Sequence, residues 1–289
     1  MTDKMRADVA LVSRGLAESR EKAQAAIMAG QAYIGERKIM KASETVMPED
    51  PLVLRAASSR YVSRGALKLE KAVRVFHADL RGRVIVDIGA STGGFTDVCL
   101  QNGAARVYAV DVGYGQLDWK LRSDPRVTVM ERTNARYLTP DMFPEKPEIA
   151  VMDVSFISIT LILPAASAVI GDDGVFYTLI KPQFEAGRDK VGKKGVVRDP
   201  ETHTDVIREI AGFVRDMGWE IRRIDYSPIT GPEGNIEFLA EIRKGVTPGG
   251  ITEEDIRRTV SEAHLRLKRG EPAPSEQVSD RGDEAPCSK

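Results

Sequence analysis

Four charged residues lie where they could take a proton from a hydroxyl group. Lys68 falls on a helical pattern that precedes the first apolar strand, and Asp153 and Lys181 each follow the end of a later strand. Glu237 lies in the string Gly-Asn-Ile-Glu-Phe-Leu, near the last strand pattern. An alcohol is a poor nucleophile, and lysine can act as its base only in the neutral form, which a nearby cation and partial burial favour.

We therefore predict that Lys181 is the base and that Lys68 supplies the cation, while Asp153 and Glu237 orient both amines. Such a set suits the transfer of an already activated methyl group to an alcohol, where in-line positioning carries much of the rate. Each residue alone is also typical of a solvated strand end or an outward-facing strand residue. The prediction therefore depends on the four residues together.

A glycine-rich loop follows the first apolar strand and opens a helix. Glycines there let the backbone approach a ligand, and the N-terminus of the helix offers free N–H groups to a carboxylate or phosphate. The spacing is neither that of a dinucleotide-binding loop nor that of a phosphate-binding loop, since no Gly-Lys-Ser/Thr follows. A tight turn that binds no ligand is the alternative. The residues of this segment that we predict to contact a cofactor are Asp87, Gly89, Ala90, Ser91, Thr92, Gly93 and Gly94.

Two further residues extend this cofactor prediction. Asp111 ends the second apolar strand, where a carboxylate can accept hydrogen bonds from both ribose hydroxyls of an adenosine. Asn134 follows the third strand and could meet the adenine, although an asparagine in a loop is also a common turn residue. Acidic residues at two strand ends, with the glycine loop between them, are typical of a class I methyltransferase site.

The elements that must position these residues alternate between strand and helix. Apolar strand patterns occupy residues 84–86, 107–110, 127–129, 149–152 and 175–180. This alternation predicts an α/β fold with a doubly wound, mostly parallel sheet, and residues 219–224 and 236–242 would close it as a hairpin-like pair. The carboxyl ends of parallel strands converge on one crevice, so Asp153 and Lys181 should meet beside the glycine loop.

The chain before residue 64 reads differently. We predict a small α+β module at residues 6–54, a linker at 55–63, the sheet domain at 64–244 and a C-terminal segment at 245–289. The C-terminal segment begins with a helix and continues as a Pro-, Ser- and acid-rich tail, whose composition is typical of disorder. The formal net charge is −1, yet residues 1–74 contain 14 Lys/Arg against 9 Asp/Glu. A local basic excess of this kind suits contact with nucleic acid. The predicted RNA contacts are Arg6, Arg14, Arg20, Lys22, Arg37, Lys38 and Lys41.

Composition excludes several other classes of protein. No run approaches the roughly 20 apolar residues that span a bilayer, and the N-terminus lacks a signal-peptide core. The two cysteines, Cys99 and Cys287, are far apart and share no ligand spacing with the three histidines, so we expect neither a disulfide framework nor a metal site. We expect a cytoplasmic protein with no membrane partner.

With these residues in hand, the chain resembles the TlyA-type rRNA methyltransferases, also called the hemolysin A family, from about residue 6 to residue 243. The strings that carry the resemblance are residues 16–20, 62–65, 87–96, 111–117, 131–136, 153–158, 181–185 and 234–237.

The resemblance implies an RNA-binding module like that of ribosomal small-subunit protein four, followed by an FtsJ-like, Rossmann-like catalytic domain. It implies a Lys-Asp-Lys-Glu tetrad that falls on Lys68, Asp153, Lys181 and Glu237. The implied activity is 2′-O-methylation of a cytidine in ribosomal RNA, with S-adenosyl-L-methionine as cofactor and ribosomal subunits as partner. The tail after Lys244 is longer than in short family members.

Three other functions remain open at this point. A haemolysin-like, membrane-active protein would need a membrane segment or strongly amphipathic hairpins, and the sequence has neither pattern. A non-catalytic RNA-binding protein would have no need of an intact tetrad. Methylation at a base carbon usually requires a nucleophilic cysteine, and Cys99 falls inside the first helix of the sheet domain, where a core position is expected.

Overall fold

The computed structural model describes residues 4–28, 31–35, 37–54, 60–192, 194–245 and 250–268. The chain divides into two compact units, Met1–Arg60 and Tyr61–Lys289. Residues 55–59 of the predicted linker, and residues 246–249 and 269–289 of the predicted C-terminal segment, lie outside the described residues. The limits that the sequence suggests for the module, linker, sheet domain and tail stay predictions.

The first unit is a small α+β module. Its elements are β1 (Met5–Arg6), α1 (Ala7–Ser13), α2 (Arg20–Met28), β2 (Ala32–Ile34), β3 (Arg37–Lys38), β4 (Thr45–Val46) and β5 (Leu52–Leu54). Strand β1 pairs with β4, and β2 pairs with both β3 and β5, all antiparallel. The helices and strands enclose a core around Leu11, Ile27 and Ile39, so the module has an apolar interior of its own.

The second unit contains the predicted alternation of strands and helices. Its elements are α3 (Ala66–Val75), β6 (Val84–Ile88), α4 (Gly94–Gln101), β7 (Arg106–Val110), α5 (Trp119–Arg122), β8 (Val127–Met130), β9 (Ile149–Met152), α6 (Leu163–Ile170), β10 (Val175–Ile180), α7 (Pro182–Glu185), α8 (Pro200–Asp216), β11 (Trp219–Tyr226), β12 (Phe238–Lys244) and α9 (Glu253–Lys268). Short 3-10 helices at Ala135–Tyr137, Pro140–Met142, Ile159–Leu161 and Arg188–Lys190 lie in the connections.

These strands form a seven-stranded sheet in the order β11-β12-β10-β9-β6-β7-β8. Strands β8, β7, β6, β9 and β10 run parallel, whereas β12 is antiparallel to both of its neighbours. The chain moves outward in one direction from β6 to β8 and then crosses back to β9. The point between β6 and β9 is therefore the switch point of the sheet, where the connections leave a crevice for ligands.

Helices cover both faces of the sheet. Successive residues of β6 point to opposite sides, so that Ile85 packs with α3 and α4, while Val86 and Ile88 pack in the core that contains α6, α8 and α9. A strand that is buried on both faces must be apolar along its whole length, as the five residues of β6 very nearly are. The predicted α/β fold class is confirmed.

Two features differ from the simplest interpretation of the sequence. The final pair does not extend the sheet in chain order, because β12 is inserted between β10 and β11. Helix α9, which looks polar in the sequence, buries Ile256, Val260 and Ala263 in the core of the second unit. It is therefore part of that unit rather than a peripheral segment.

Candidate functional site

The structure brings the four predicted catalytic residues into one chain of alternating charge. The ammonium Nζ of Lys68 lies 2.7 Å from Glu237 Oε2 and 3.1 Å from Asp153 Oδ2. The second oxygen of that aspartate, Oδ1, lies 2.6 Å from the Nζ of Lys181. Asp153 thus bridges the two lysines. Within the described residues, Glu237 pairs with Lys68 and not with Lys181, so it orients one amine rather than both.

Different elements supply these residues, and each residue lies beside the terminus of its element. Lys68 lies in the first turn of α3, and Asp153 and Lys181 directly follow β9 and β10. Glu237 immediately precedes β12, which starts at this edge because it runs antiparallel to β10. The four side chains therefore meet where β9 and β10 end and where β12 and α3 begin.

Two polar residues that the sequence analysis missed extend the charged chain at both ends. Lys181 Nζ donates a hydrogen bond of 2.9 Å to Ser155 Oγ, and Gln183 Nε2 donates one of 3.1 Å to Glu237 Oε1. Each lies two residues after a predicted catalytic residue, inside the strings 153–158 and 181–185. The signal was present in the sequence, because the turn that follows a strand end returns to the same crevice.

The electrostatic environment keeps Lys68 charged. Burial alone would lower the pKa of this lysine, but the carboxylates of Asp153 and Glu237 outweigh the burial and raise that pKa above its ordinary value. Lys68 is 8% exposed and Glu237 is 1% exposed, so little water screens the pair. The arrangement therefore places a permanent cation beside Asp153, on the side opposite Lys181.

Two glycines of the loop are required by close packing against neighbouring protein atoms. Gly89 has a φ of +83°, and a Cβ there would lie 2.9 Å from the backbone oxygen of Asp153. A Cβ on Gly94 would lie 2.3 Å from Ser63 Oγ and 3.0 Å from the backbone nitrogen of Ala66. These two glycines let the loop pack directly against the catalytic strand end and against the start of α3.

Two cavities meet at this loop. The first, of about 580 Å³, contains all four residues of the charged chain and part of the loop. The second, of about 390 Å³, lies towards β7 and β8. Gly89, Ser91 and Asp153 border both cavities, and Ala90, Thr92 and Gly94 border only the first. Asp153 could therefore contact a molecule in either cavity.

The second cavity fits an adenosine. Asp111 lines it, with Oδ2 accepting from the backbone N–H of Ser91 at 2.8 Å and Oδ1 from that of Gly113 at 2.7 Å. These bonds fix the carboxylate, and each oxygen retains a lone pair for a ribose hydroxyl. Asn134 also lines the cavity, while its side chain accepts from the backbone N–H of Arg136 and caps a short helix.

Asp87 and Gly93 line neither cavity among the described residues. Asp87 is fully buried, its Oδ2 accepts a 2.6 Å hydrogen bond from the hydroxyl of Thr96, and burial raises its pKa to about 7. A Cβ on Gly93 would collide with the side chains of Leu117 and Leu121. The structure thus places both residues behind the loop, where they support its shape.

Most of the predicted RNA contacts in the first unit already have protein partners. Arg6 and Arg20 each place Nε 3.0 Å from the fully buried carboxylate of Asp8, and the guanidinium of Arg14 donates to the backbone oxygens of Met47, Pro48 and Asp50. Arg6 and Arg20 remain about half exposed.

The other predicted contacts differ in how far they are engaged. Lys22 pairs with Glu18, and Arg37 pairs with Glu44. Lys41 is exposed, and the side chain of Lys38 lies outside the described residues. Arg14 therefore has a structural role. The other described cations of this set, Arg6, Arg20, Lys22, Arg37 and Lys41, keep exposed surface that RNA could reach.

Three observations bear on the other functions considered. In the part of the chain that the structure describes, no helix is long and apolar enough to cross a membrane. The same residues contain no group of three His, Cys, Asp or Glu side chains that could hold a metal ion. Cys99 is buried in α4, and burial raises the pKa of its thiol well above the ordinary value, which disfavours the thiolate that methylation at a base carbon would require.

Comparison with known families matches residues 61–244 to the FtsJ-like methyltransferases. A Bacillus subtilis protein with the provisional name rRNA methyltransferase YqxC is 52% identical over 269 residues, covering 92% of this chain and 96% of that protein. The 16S/23S rRNA (cytidine-2′-O)-methyltransferase TlyA of Mycobacterium tuberculosis is 42% identical over 267 residues, covering 91% and 99%.

A solved structure extends the likeness to three dimensions. A protein of Streptococcus thermophilus, provisionally named a hemolysin, superposes with a TM-score of 0.75 at 45% sequence identity. The superposition covers 93% of this chain and 99% of that one.

Proposed function

This chain belongs to the FtsJ-like methyltransferases, in their TlyA-type, hemolysin A branch, and on that basis we propose that it methylates the ribose 2′-hydroxyl of a cytidine in ribosomal RNA. The M. tuberculosis relative bears the name of this activity. The observation that carries the proposal is the charged chain Glu237–Lys68–Asp153–Lys181, in which each lysine Nζ lies 2.6–3.1 Å from the neighbouring carboxylate oxygens.

Each member of the charged chain has a role that follows from its contacts. Lys181 faces the first cavity and accepts the proton of the 2′-hydroxyl. Asp153 holds the amino groups of both lysines in place, and Ser155 fixes the direction of Lys181. The cation at Lys68 lies against the other oxygen of Asp153 and balances the charge of that carboxylate. Glu237 holds Lys68 in place and is itself held by Gln183.

S-adenosyl-L-methionine fits the second cavity and the loop beside it, and when bound it supplies a methyl group already activated by a sulfonium. Asp111 would accept hydrogen bonds from its ribose, and Asn134 would lie near its adenine. Gly89 and Ser91 border both cavities, and the backbone of this loop would hold the methionine part. Asp153 borders both cavities too, so the methyl donor and the ribose would meet beside Lys181.

The first unit would recognise the ribosomal subunit. Structured RNA is bound largely through its shape, phosphates and 2′-hydroxyls, so a small module with several exposed cations can bind it with little reading of sequence. Arg20 and Lys22 lie at the start of α2, where free N–H groups also favour a phosphate. Because the target cytidine must leave its helix at a cost of a few kcal/mol, binding energy from this module would assist catalysis.

The test is transfer of a labelled methyl group to purified ribosomal subunits, with the modified ribose located by its resistance to alkaline cleavage. The wild-type chain should modify a cytidine, and Lys181→Ala should reduce turnover to background while leaving cofactor affinity nearly unchanged. A Lys181→Ala variant with near wild-type turnover would refute the mechanism. A wild-type chain that labels no 2′-oxygen in either subunit would refute the function.

A further inference from the structure

A basic turn, residues 187–198, lies between α7 and α8 and is not part of the charged chain. It contains five Lys/Arg and one Asp, whereas residues 6–54 of the N-terminal module contain seven Lys/Arg and seven Asp/Glu. Of the turn, residue 193 and the side chain of Arg188 lie outside the described residues. Lys190 pairs with Asp205 on α8 at 3.3 Å. In the described part of the chain, no carboxylate lies within ion-pair distance of Lys194 or Arg198.

Three described cations of the basic turn line one groove. Lys190, Lys194 and Arg198 line a concavity of about 430 Å³, together with Gly192, Val196 and Asp199. Asp199 is the acidic member of this lining, and its Oδ2 accepts from the backbone N–H of Thr202 at 3.0 Å as the N-cap of α8. Its charge is directed at the helix N-terminus, so the groove presents a positive surface.

The opposite side of the same turn borders the catalytic cavity. Val191 and Gly195 line the first cavity, whereas their neighbours Lys190 and Lys194 line the groove. The turn is closed on itself by backbone bonds between Gly192 and Val196 and between Gly195 and Gly192. One short wall therefore separates the charged chain from the groove.

Asn235 fixes this wall to the catalytic strand start. Its Nδ2 donates to the backbone oxygen of Gly195 at 2.9 Å, and its Oδ1 accepts from the backbone N–H of Val197 at 3.0 Å. Asn235 is 3% exposed and lies two residues before Glu237. The position of the groove relative to Lys181 is thus set by buried hydrogen bonds and does not depend on the cations themselves.

We infer that the groove of the basic turn binds the RNA backbone on one side of the target nucleotide. The inference rests on the proposed function and deepens it. A ribose whose 2′-oxygen reaches Lys181 has a phosphate on the neighbouring 3′-carbon, so its backbone must leave the cavity across a wall close to the reacting atom. Exposed Lys and Arg beside that wall match the phosphates by charge, and such contacts position a nucleic acid without reading its sequence. The catalytic domain therefore contributes its own share of substrate affinity.

The test compares wild type with Lys194→Gln/Arg198→Gln in methylation of ribosomal subunits across a series of salt concentrations. A matched control, Lys146→Gln/Arg215→Gln, removes one exposed lysine and one exposed arginine near the opposite edge of the sheet, ahead of β9 and β11. We expect about a tenfold higher KM for the groove variant, with kcat within about twofold of wild type. The slope of log kcat/KM against log salt should become shallower by about 1.5, because two phosphate contacts are lost.

A groove variant with wild-type KM and wild-type salt slope, or a control variant with the same losses, would overturn the inference. Retention of ribosomal subunits on filters, measured without cofactor, gives a second readout that does not require turnover. If wild type transfers no methyl group, the proposed function fails, and the filter assay alone decides whether the groove binds RNA. Thermal unfolding of each variant verifies that the fold is intact.

Discussion

The replacement Lys68→Met tests whether the charged chain is one electrostatic unit. Methionine keeps most of the length and apolar stem of the side chain but removes the charge. Asp153 retains Lys181 as a partner, whereas Glu237, which is 1% exposed, keeps no cation among its described contacts. Removing one partner of a buried ion pair costs about 3–5 kcal/mol in the free energy of unfolding. We expect about 3 kcal/mol here, with turnover lost.

The double variant Lys68→Met/Glu237→Gln should recover about 2 kcal/mol of that loss, because the amide removes the uncompensated charge and keeps an oxygen for Gln183. Turnover should stay lost, since the cation beside Asp153 is still missing. Urea unfolding measures the free energies, and methyl transfer to ribosomal subunits measures activity.

Lys71 provides the matched control on the same helix. Its Nζ lies 2.7 Å from Asp225 Oδ1 and 2.7 Å from the backbone oxygen of Tyr226, away from the charged chain. Lys71→Met should also destabilise the protein, but Glu237→Gln should give no recovery in that background. Equal recovery in both backgrounds, or none in the Lys68→Met background, would refute the idea that Glu237 depends on Lys68 for its charge.

Three further predictions concern the cofactor and stability. Asp111→Ala should weaken S-adenosyl-L-methionine binding by about 1–3 kcal/mol, and unchanged affinity by calorimetry would contradict the assignment. Asp8→Asn should destabilise the first unit by about 1–2 kcal/mol at neutral pH. Its arginine partners hold the pKa of Asp8 far below the ordinary value, so this stabilisation is present above about pH 4 and declines as acid protonates the carboxylate. Chemical denaturation at a series of pH values measures it, and an equal loss of unfolding free energy in wild type and Asp8→Asn on acidification would contradict the prediction. Burial and the adjacent His264 lower the pKa of His203 to about 4. The unfolded chain therefore takes up this proton first, and the free energy of unfolding should fall by about 3 kcal/mol between about pH 6.5 and pH 4. His203→Leu should lack this contribution to the slope, and a slope that persists unchanged would show that other groups cause it.

The sequence predicts the second unit well because its signals are local. Apolar strands such as 84–86 and 149–152 alternate with helices, and this pattern implies both the parallel sheet and the edge where Asp153 and Lys181 meet. The position of β12 in the sheet could not be predicted from the sequence, because two antiparallel strands after the last parallel strand can join a sheet in either order.

Side-chain partnerships were harder to foresee. A basic excess in residues 1–74 marks Arg6 and Arg20 as RNA contacts, but their shared bond to Asp8 depends on how α1 and α2 pack. Similarly, Asp87 follows the apolar residues 84–86 and is predicted to contact a cofactor, yet it lies inside β6, where the hydroxyl of Thr96 in the first turn of α4 donates to its carboxylate. The position of a residue along a strand predicts at which end of the sheet its side chain lies. The hydrogen-bond or ion-pair partner of that side chain depends on tertiary packing.

The insertion of β12 between β10 and β11 has a consequence for the order in which the molecule is built. During synthesis, β10 has its parallel neighbour β9 early, but its other edge stays open until residues 238–244 have left the ribosome. Among the described residues β11 pairs with β12 and with no other strand, so β12 also joins β11 to the sheet. Glu237 directly precedes β12, so the same late event completes the charged chain. A nascent chain of this protein therefore completes its catalytic electrostatics only after β12 is available to join the sheet.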